Sequence, residues 1–159
     1  MRAPTSLLGV ALAAALAPGA ARGEDALRFP APPVYVQECG SCHVPYPARY
    51  LSAESWNAVL DGLGAHFGAD ASLDPTLSEE IRIFLDRAAS RRPTAADGRP
   101  LLRLTQTRRF RSEHDEVGAD LWKRPGVGSP ANCGACHPGA QLGDYAEGAI
   151  RVPRAGGTR

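Results

Sequence analysis

Apolar residues in the middle of the chain recur at intervals of three and four, which is the spacing of an amphipathic helix. One such pattern runs from Ser52 to His66, and its first residue is of a type that favours a helix N-cap. A second follows the capping-box sequence Thr76–Glu79, and a third runs from Thr105 to about Val117. These patterns predict a mainly helical fold with little sheet.

The three predicted helices are expected to have different roles. The second has an apolar stripe without any ligand-forming side chain, and we interpret it as a wall of the core. This stripe consists of Ile81, Phe84, Leu85 and Ala88. Histidines lie on the apolar faces of the other two helices: His66 follows Leu63, and His114 follows Phe110.

Glycine and proline are abundant, with 17 Gly and 14 Pro in 159 residues, so much of the chain is expected to be loop. The segment from Ser90 to Pro100 is polar and contains both residue types, and we interpret it as a linker. It divides the chain into two predicted halves, 24–98 and 99–159. A second loop, from Pro125 to Pro130, is expected to let the chain wrap around a bound group, with Trp122 packed nearby.

The first 23 residues have the pattern of a secretory signal peptide. Arg2 precedes an apolar run of 11 residues from Leu7 to Ala17, and the small residues Ala21 and Gly23 fit a cleavage site. A membrane span needs roughly 20 apolar residues, so this run is too short to be one. We therefore expect a soluble protein of the periplasm that has no membrane span after the signal peptide is removed.

The four cysteines form two CxxCH motifs, Cys39–His43 and Cys133–His137. In an exported protein this pattern is typical of covalent c-type haem attachment, in which both thiols bond to the porphyrin and the adjacent histidine binds the iron. Two disulfides would also use four cysteines, and a zinc site would require the two pairs to converge across 94 positions. We interpret the motifs as attachment sites for two haem c groups, one at Cys39 and Cys42 and one at Cys133 and Cys136.

The sixth ligand of each iron is predicted by elimination among the side chains outside the two CxxCH motifs that could bind iron. Met1 is the only methionine and is removed with the predicted signal peptide, so methionine ligation is excluded. His66 and His114 then complete the sets begun by His43 and His137, which predicts bis-His ligation at both irons. Lys123, a tyrosine, the new N-terminal amine and an open position are the alternatives.

The order of the histidines differs between the two halves. His66 follows His43 by 23 residues, whereas His114 precedes Cys133 by 19, so the halves are not a tandem duplication. Local pairing, His43 with His66 and His137 with His114, needs contacts over shorter stretches of chain. A crossed pairing, His43 with His114 and His137 with His66, would also give each iron two histidines, and the sequence does not exclude it.

Charge does not favour nucleic acid as a partner, because 18 Lys and Arg residues are balanced by 17 Asp and Glu residues. A cationic stretch nevertheless follows the linker. One or two of its members are candidates to pair with haem carboxylates, and the stretch is also a candidate surface for a redox partner. It consists of Arg99, Arg103, Arg108, Arg109 and Arg111.

From about Pro33 to Pro153 the sequence resembles the small bacterial dihaem cytochrome c family. The motifs that carry the resemblance are ECGSCH at 38–43, Trp56 with HFGADASL at 66–73, the EHDEV segment around His114, NCGACH at 132–137 and IRVP near the end. The resemblance implies two covalent haems, with His43 and His137 as proximal and His66 and His114 as distal ligands. It also implies a periplasmic electron carrier that donates to a small oxygen-binding monohaem cytochrome.

Six-coordinate irons leave no position for a substrate, so single-electron transfer rather than enzymatic turnover is the expected activity. Histidine in place of methionine predicts reduction potentials below those of His/Met cytochromes. One alternative is a dihaem peroxidase or reductase whose distal histidine leaves the iron. Another is the small subunit of a periplasmic nitrate reductase, in which the two motifs are expected closer together. Periplasmic redox proteins are the expected partners.

Overall fold

The computed structural model describes residues 30–92 and 97–154. The predicted signal peptide lies outside the described residues, as do positions 93–96 of the predicted linker. Within the described ranges the chain forms five α-helices and six single turns of 3-10 helix, and its only β-type pairings are isolated bridges. The helices are α1 Pro33–Gly40, α2 Ala53–Asp61, α3 Pro75–Ala88, α4 Arg108–Glu113 and α5 Ala119–Trp122. The prediction of a mainly helical fold is confirmed.

The largest apolar core lies where α2 and α3 pack against each other and against α1. Ile81 and Leu85 of α3 are fully buried there, next to Trp56 of α2 and Tyr35 of α1. The remaining members of the predicted stripe, Phe84 and Ala88, pack against this cluster from its edge. The interpretation of α3 as a wall of the core is therefore confirmed.

Helix α2 begins as the sequence predicts but ends earlier. Ser52 is its N-cap, and the Ser52 hydroxyl accepts a hydrogen bond from the Ser55 amide at 3.3 Å. The helix ends at Asp61, followed by a separate 3-10 turn over Leu63–Ala65. The predicted extension to His66 is therefore wrong. Glycines at 62 and 64 weaken the helix at this point, because glycine loses the most backbone freedom in a helix.

Helix α3 begins one residue before the capping box that its sequence indicated. The carboxylate of Asp74 accepts a hydrogen bond from the Thr76 amide at 2.8 Å, so Asp74 is the N-cap and Pro75 is the first helical residue. Proline suits that position, since its fixed φ is helical and its missing N–H would have had no partner in the helix. The prediction of Thr76 as the cap is therefore wrong.

The third predicted helix is shorter than the periodicity suggested. A 3-10 turn spans Leu104–Gln106, and α4 begins only after Thr107, whose hydroxyl accepts a hydrogen bond from the Phe110 amide at 3.0 Å. Helix α4 ends at Glu113, with His114 as its C-cap. The predicted continuation to Val117 is wrong, and the capping preference of threonine accounts for the late start.

Several contacts join residues before the linker to residues after it. The Ser55 hydroxyl accepts a hydrogen bond from the Leu101 amide at 2.9 Å, and the Tyr46 hydroxyl donates to the Ala131 carbonyl at 2.8 Å. Beyond the linker, the buried apolar side chains Leu104, Val127 and Ala140 lie far apart along the chain. In the described ranges no helix combines the length and apolar character that crossing a membrane requires.

We predict that Ile81→Ala destabilises the folded protein by about 3 kcal/mol, because it removes buried methyl groups and leaves a cavity. The matched control is Ile83→Ala on the same helix, where the side chain is 45% exposed and the expected cost is below about 1 kcal/mol. Urea denaturation followed by far-ultraviolet circular dichroism measures both. Equal losses in the two variants would contradict the position of the core.

Candidate functional site

The first CxxCH motif lies at the end of α1. Cys39 is in the last turn of the helix, and Cys42 and His43 follow it in the turn that leaves the helix. The Ser41 hydroxyl donates to the Glu38 carbonyl at 2.9 Å and so satisfies one of the terminal carbonyls of the helix. Burial, with a smaller effect of Glu38, raises the pKa of the free Cys39 thiol to about 11.

The second CxxCH motif forms a compact turn of its own. Cys133–Ala135 is a 3-10 turn, and the His137 amide donates to the Cys133 carbonyl at 2.8 Å. Burial raises the pKa of Cys133 and of Cys136. All four cysteines of the chain lie in the described residues, and none of them forms a disulfide.

The four histidines form two facing pairs. The ring centroids of His43 and His66 are 6.3 Å apart, and those of His114 and His137 are 6.2 Å apart. A metal–nitrogen bond of about 2.0 Å and a centroid about 1.1 Å behind that nitrogen place two imidazoles on opposite sides of one metal about 6.2 Å apart. Both pairs have this spacing, and both are the local pairs rather than the crossed ones.

One histidine of each pair has a fixed tautomer. The Nδ1 atom of His43 lies 2.8 Å from the Val44 carbonyl, and that of His114 lies 2.9 Å from the Phe110 carbonyl. Because a carbonyl can only accept, each Nδ1 must carry the proton, which leaves the Nε2 lone pair free to bind a metal. These two carbonyls are acceptors of the kind that orients metal-binding histidines.

The other histidine of each pair is held neutral by its surroundings. Burial lowers the pKa of His66, and the nearby His43 and Arg103 lower it further. Burial also lowers the pKa of His137, with His114 acting in the same direction and Asp144 opposing it. A neutral imidazole is the form that binds a metal, so both shifts favour ligation at neutral pH.

His66 is positioned by a tight turn rather than by the predicted helix face. Phe67 follows it with a φ of 51°, and Gly68 has a φ of 102°. The Ala69 amide donates to the His66 carbonyl at 3.1 Å and closes the turn. A positive φ is strained for a bulky residue such as Phe67. Arg103 lies over its ring at 4.0 Å, which brings a cation from beyond the linker to this first site.

His114 is positioned by aromatic neighbours at the end of α4. Its ring stacks on that of Phe110 with centroids 4.1 Å apart, and the Trp122 ring of α5 lies 6.0 Å away. The sequence-based placement of Phe110 and His114 on one face is confirmed. Trp122 is the last residue of α5 and packs next to His114, three residues before the loop from Pro125 to Pro130.

The two motifs lie next to each other. A methyl group added at Gly134 of the second motif would be 3.7 Å from a methyl of Val44, which directly follows the first motif. Tyr46 stacks on His43 with centroids 4.6 Å apart, and its hydroxyl reaches the Ala131 carbonyl just before the second motif. Tyr145 lies 5.3 Å from the His137 ring. Aromatic side chains therefore line the space between the two sites.

A haem at each motif fits the surrounding residues. Each site supplies two cysteines three residues apart, an adjacent histidine, and a second histidine at the spacing of an opposite axial ligand. The Tyr145 hydroxyl is buried, and no hydrogen-bond partner for it exists among the described residues, as expected where a bound group supplies the acceptor. By contrast, no three His, Cys, Asp or Glu side chains of residues 30–92 and 97–154 converge as a zinc site requires.

Two CxxCH motifs in a loop-rich helical chain are the arrangement of a c-type cytochrome. A family model described as dihaem cytochrome c matches residues 35–145, and the chain belongs to this family. It therefore carries two covalently attached c-type haems, and its four cysteines provide two attachment points for each haem. This decides between the haem, zinc and disulfide interpretations of the motifs.

Solved structures agree with this assignment. The chain is 35% identical to a dihaem cytochrome c from Shewanella baltica, covering 76% of this chain and 92% of that one with a TM-score of 0.67. It is 34% identical to a dihaem cytochrome c from Rhodobacter sphaeroides, covering 74% and 98% with a TM-score of 0.65. A comparison with curated proteins gave no match.

Sequence reasoning missed several residues that shape the sites. The carbonyls of Val44 and Phe110 orient histidines, but a backbone acceptor leaves no signature in composition. The position of Phe110 four residues before a histidine at a helix end is a usable signal, because terminal carbonyls lack partners within the helix. Tyr46 and Tyr145 contact residues far away in sequence, so neither spacing nor periodicity indicates their role.

We predict that Tyr46→Phe lowers the free energy of unfolding by about 1 kcal/mol, because it removes the hydrogen bond to the Ala131 carbonyl but keeps the ring on His43. Tyr46→Leu should cost more, since the stacking contact is lost as well. Urea denaturation of the haem protein compares the two variants with the parent. An unchanged urea midpoint for Tyr46→Phe would contradict a stabilising role for this hydrogen bond.

Proposed function

We propose that the protein is a periplasmic one-electron carrier in which His43 and His66 bind one iron and His114 and His137 bind the other. The observation that supports this proposal best is the spacing of the rings: both local pairs have the separation of opposite axial ligands on one metal. Membership of the dihaem cytochrome c family is consistent with electron transfer. The haems supply reversible one-electron chemistry, and the residues around them determine which reactions are open.

The chain favours electron transfer over substrate chemistry by filling both axial positions. Fixed Nδ1–H groups on His43 and His114 keep one ligand of each iron in place. The second ligand is held by the turn at His66 on one iron and by the turn of the second motif at His137 on the other. An iron that binds one histidine on each side would have no open position for peroxide, oxygen or nitrite.

Visible spectroscopy of the purified protein tests this proposal. We expect low-spin spectra in both redox states, no change on addition of carbon monoxide or cyanide, and two reduction couples below those of His/Met cytochromes. His114→Gly, which removes one distal ligand, is the positive control and should bind carbon monoxide at one haem. A high-spin component or ready ligand binding in the parent protein would instead support the peroxidase or reductase alternative.

The location and the partner are further parts of the proposal. Removal of the predicted signal peptide would give a mature protein that begins at Glu24, and N-terminal sequencing of the periplasmic fraction tests this cleavage. We propose periplasmic redox proteins, a small oxygen-binding monohaem cytochrome among them, as electron acceptors. Stopped-flow mixing of the reduced protein with such a cytochrome should give its rapid reduction, at a rate that falls with added salt. Reduction no faster than by an unrelated cytochrome would exclude this partner.

A further inference from the structure

One histidine of each facing pair lies flat against an aromatic side chain. The Tyr46 ring stacks on His43 with centroids 4.6 Å apart and an angle of 17° between the planes. The Phe110 ring stacks on His114 with centroids 4.1 Å apart and an angle of 15°. Tyr46 belongs to the loop after the first motif and Phe110 to α4, so two different elements provide the same kind of contact.

The other histidine of each pair meets its aromatic neighbour at a steep angle. The planes of Phe67 and His66 differ by 58°, and those of Tyr145 and His137 differ by 55°. A tilted ring touches its neighbour at an edge and restricts rotation less than a ring that covers a whole face. These two histidines are positioned instead by the turn at Phe67 and by the turn of the second motif.

The two stacked aromatic rings are themselves held in place. The Tyr46 hydroxyl donates to the Ala131 carbonyl at 2.8 Å, and the Tyr46 side chain packs against the apolar core. The Phe110 ring lies 6.3 Å from that of Trp122 in α5. Each aromatic ring therefore contacts a second segment of the chain in addition to the histidine, which lets it act as a fixed wall.

A hydrogen bond alone does not fix the plane of a ligand ring. The Nδ1 atoms of His43 and His114 donate to the carbonyls of Val44 and Phe110. An imidazole that binds a metal through Nε2 is free to turn about that bond, and Nδ1 lies close to the axis of rotation. The hydrogen bond therefore changes little when the ring turns, whereas an aromatic ring against its face blocks the turn. The carbonyl fixes the tautomer, and the stacked ring fixes the plane.

The angle between the histidine planes differs between the two sites. It is 26° for His43 and His66 and 71° for His114 and His137. An imidazole donates electron density to the iron d orbital that lies across its plane. Nearly parallel rings act on the same orbital and separate its energy from that of the neighbouring orbital, whereas nearly perpendicular rings act on both orbitals and keep their energies similar. The two sites thus offer different ligand fields.

We infer that Tyr46 and Phe110 are positioning residues whose rings set the ligand planes of the two irons, nearly parallel at the first haem and nearly perpendicular at the second. The inference rests on the proposed function, since it takes the two histidine pairs as axial ligands. It adds that two haems with the same ligand types have different ferric electronic states. Because the transferred electron enters the half-filled orbital of this set, the stacked rings also orient the redox orbital of each haem.

Electron paramagnetic resonance of the oxidised haem protein in frozen solution tests the inference. We expect two low-spin signals, a rhombic one with well-separated g values from the first haem and a single feature at low field from the second. Tyr46→Leu should shift or broaden the rhombic signal alone. Phe110→Leu should move the low-field feature alone toward a rhombic form, although it keeps the backbone carbonyl that accepts from His114.

Conservative variants at the same positions are the matched controls. Tyr46→Phe and Phe110→Tyr keep the stacked ring, so both should retain the spectrum of the parent protein. Tyr46→Phe loses the hydrogen bond to Ala131 and is expected to lower the urea midpoint, which separates stability from ring orientation. If the two aromatic residues served stability alone, the leucine variants would have lower midpoints but the spectrum of the parent.

The outcomes distinguish this inference from the proposed function. Two parent signals of the same form overturn the inference but leave the bis-His ligation intact. Unchanged spectra in both leucine variants also overturn it, as does a variant at one site that changes only the signal of the other haem. A high-spin ferric signal in the parent protein overturns the proposed ligation, whatever the variants show.

Discussion

Two imidazoles that bind opposite faces of one iron must keep a fixed separation, and the chain meets this requirement twice with different elements. At the first site the distance of 6.3 Å is set by the end of α1 and by the turn at His66. At the second site the distance of 6.2 Å is set by the C-cap of α4 and by the turn of the second motif. Under the proposed ligation, a displacement of either ring by one ångström would lengthen or tilt a metal bond.

The apolar core and the histidines lie in different parts of the structure. Helices α2 and α3 form an apolar core that contains none of the four histidines, while the histidines proposed as ligands lie at helix ends and in turns. Helix ends offer unpaired carbonyls, and the His114 ring uses one of them to fix its tautomer. The strained φ of Phe67 lies directly after His66, as is common where backbone strain serves a functional site.

The nearness of the two motifs has a consequence for electron transfer. Val44, Tyr46 and Ala131 bring the first attachment turn against the segment that leads to the second. Electrons that enter one haem of such a pair have a short path to the other. Tyrosines 46, 50 and 145 fill the space between the sites, and their contacts join chain segments from both sides of the linker.

Much of the site was predictable from sequence, because covalent attachment requires a fixed local spacing and the chain has only four histidines. The core face of α3 was predictable from its periodicity. The ends of α2 and α4 were not, since capping by Thr107 and interruption by Gly62 outweigh an apolar repeat that continues past them. Neither the roles of Tyr46 and Tyr145 nor the choice between local and crossed pairing could be read from the sequence, because both depend on how distant segments pack.

The pairing of the histidines is tested most directly by an anomalous difference map recorded at the iron absorption edge from crystals of the haem protein. The account predicts two iron peaks, one midway between the rings of His43 and His66 and one midway between those of His114 and His137. An iron bound by His43 together with His114, or an iron with only one histidine ligand, would contradict it.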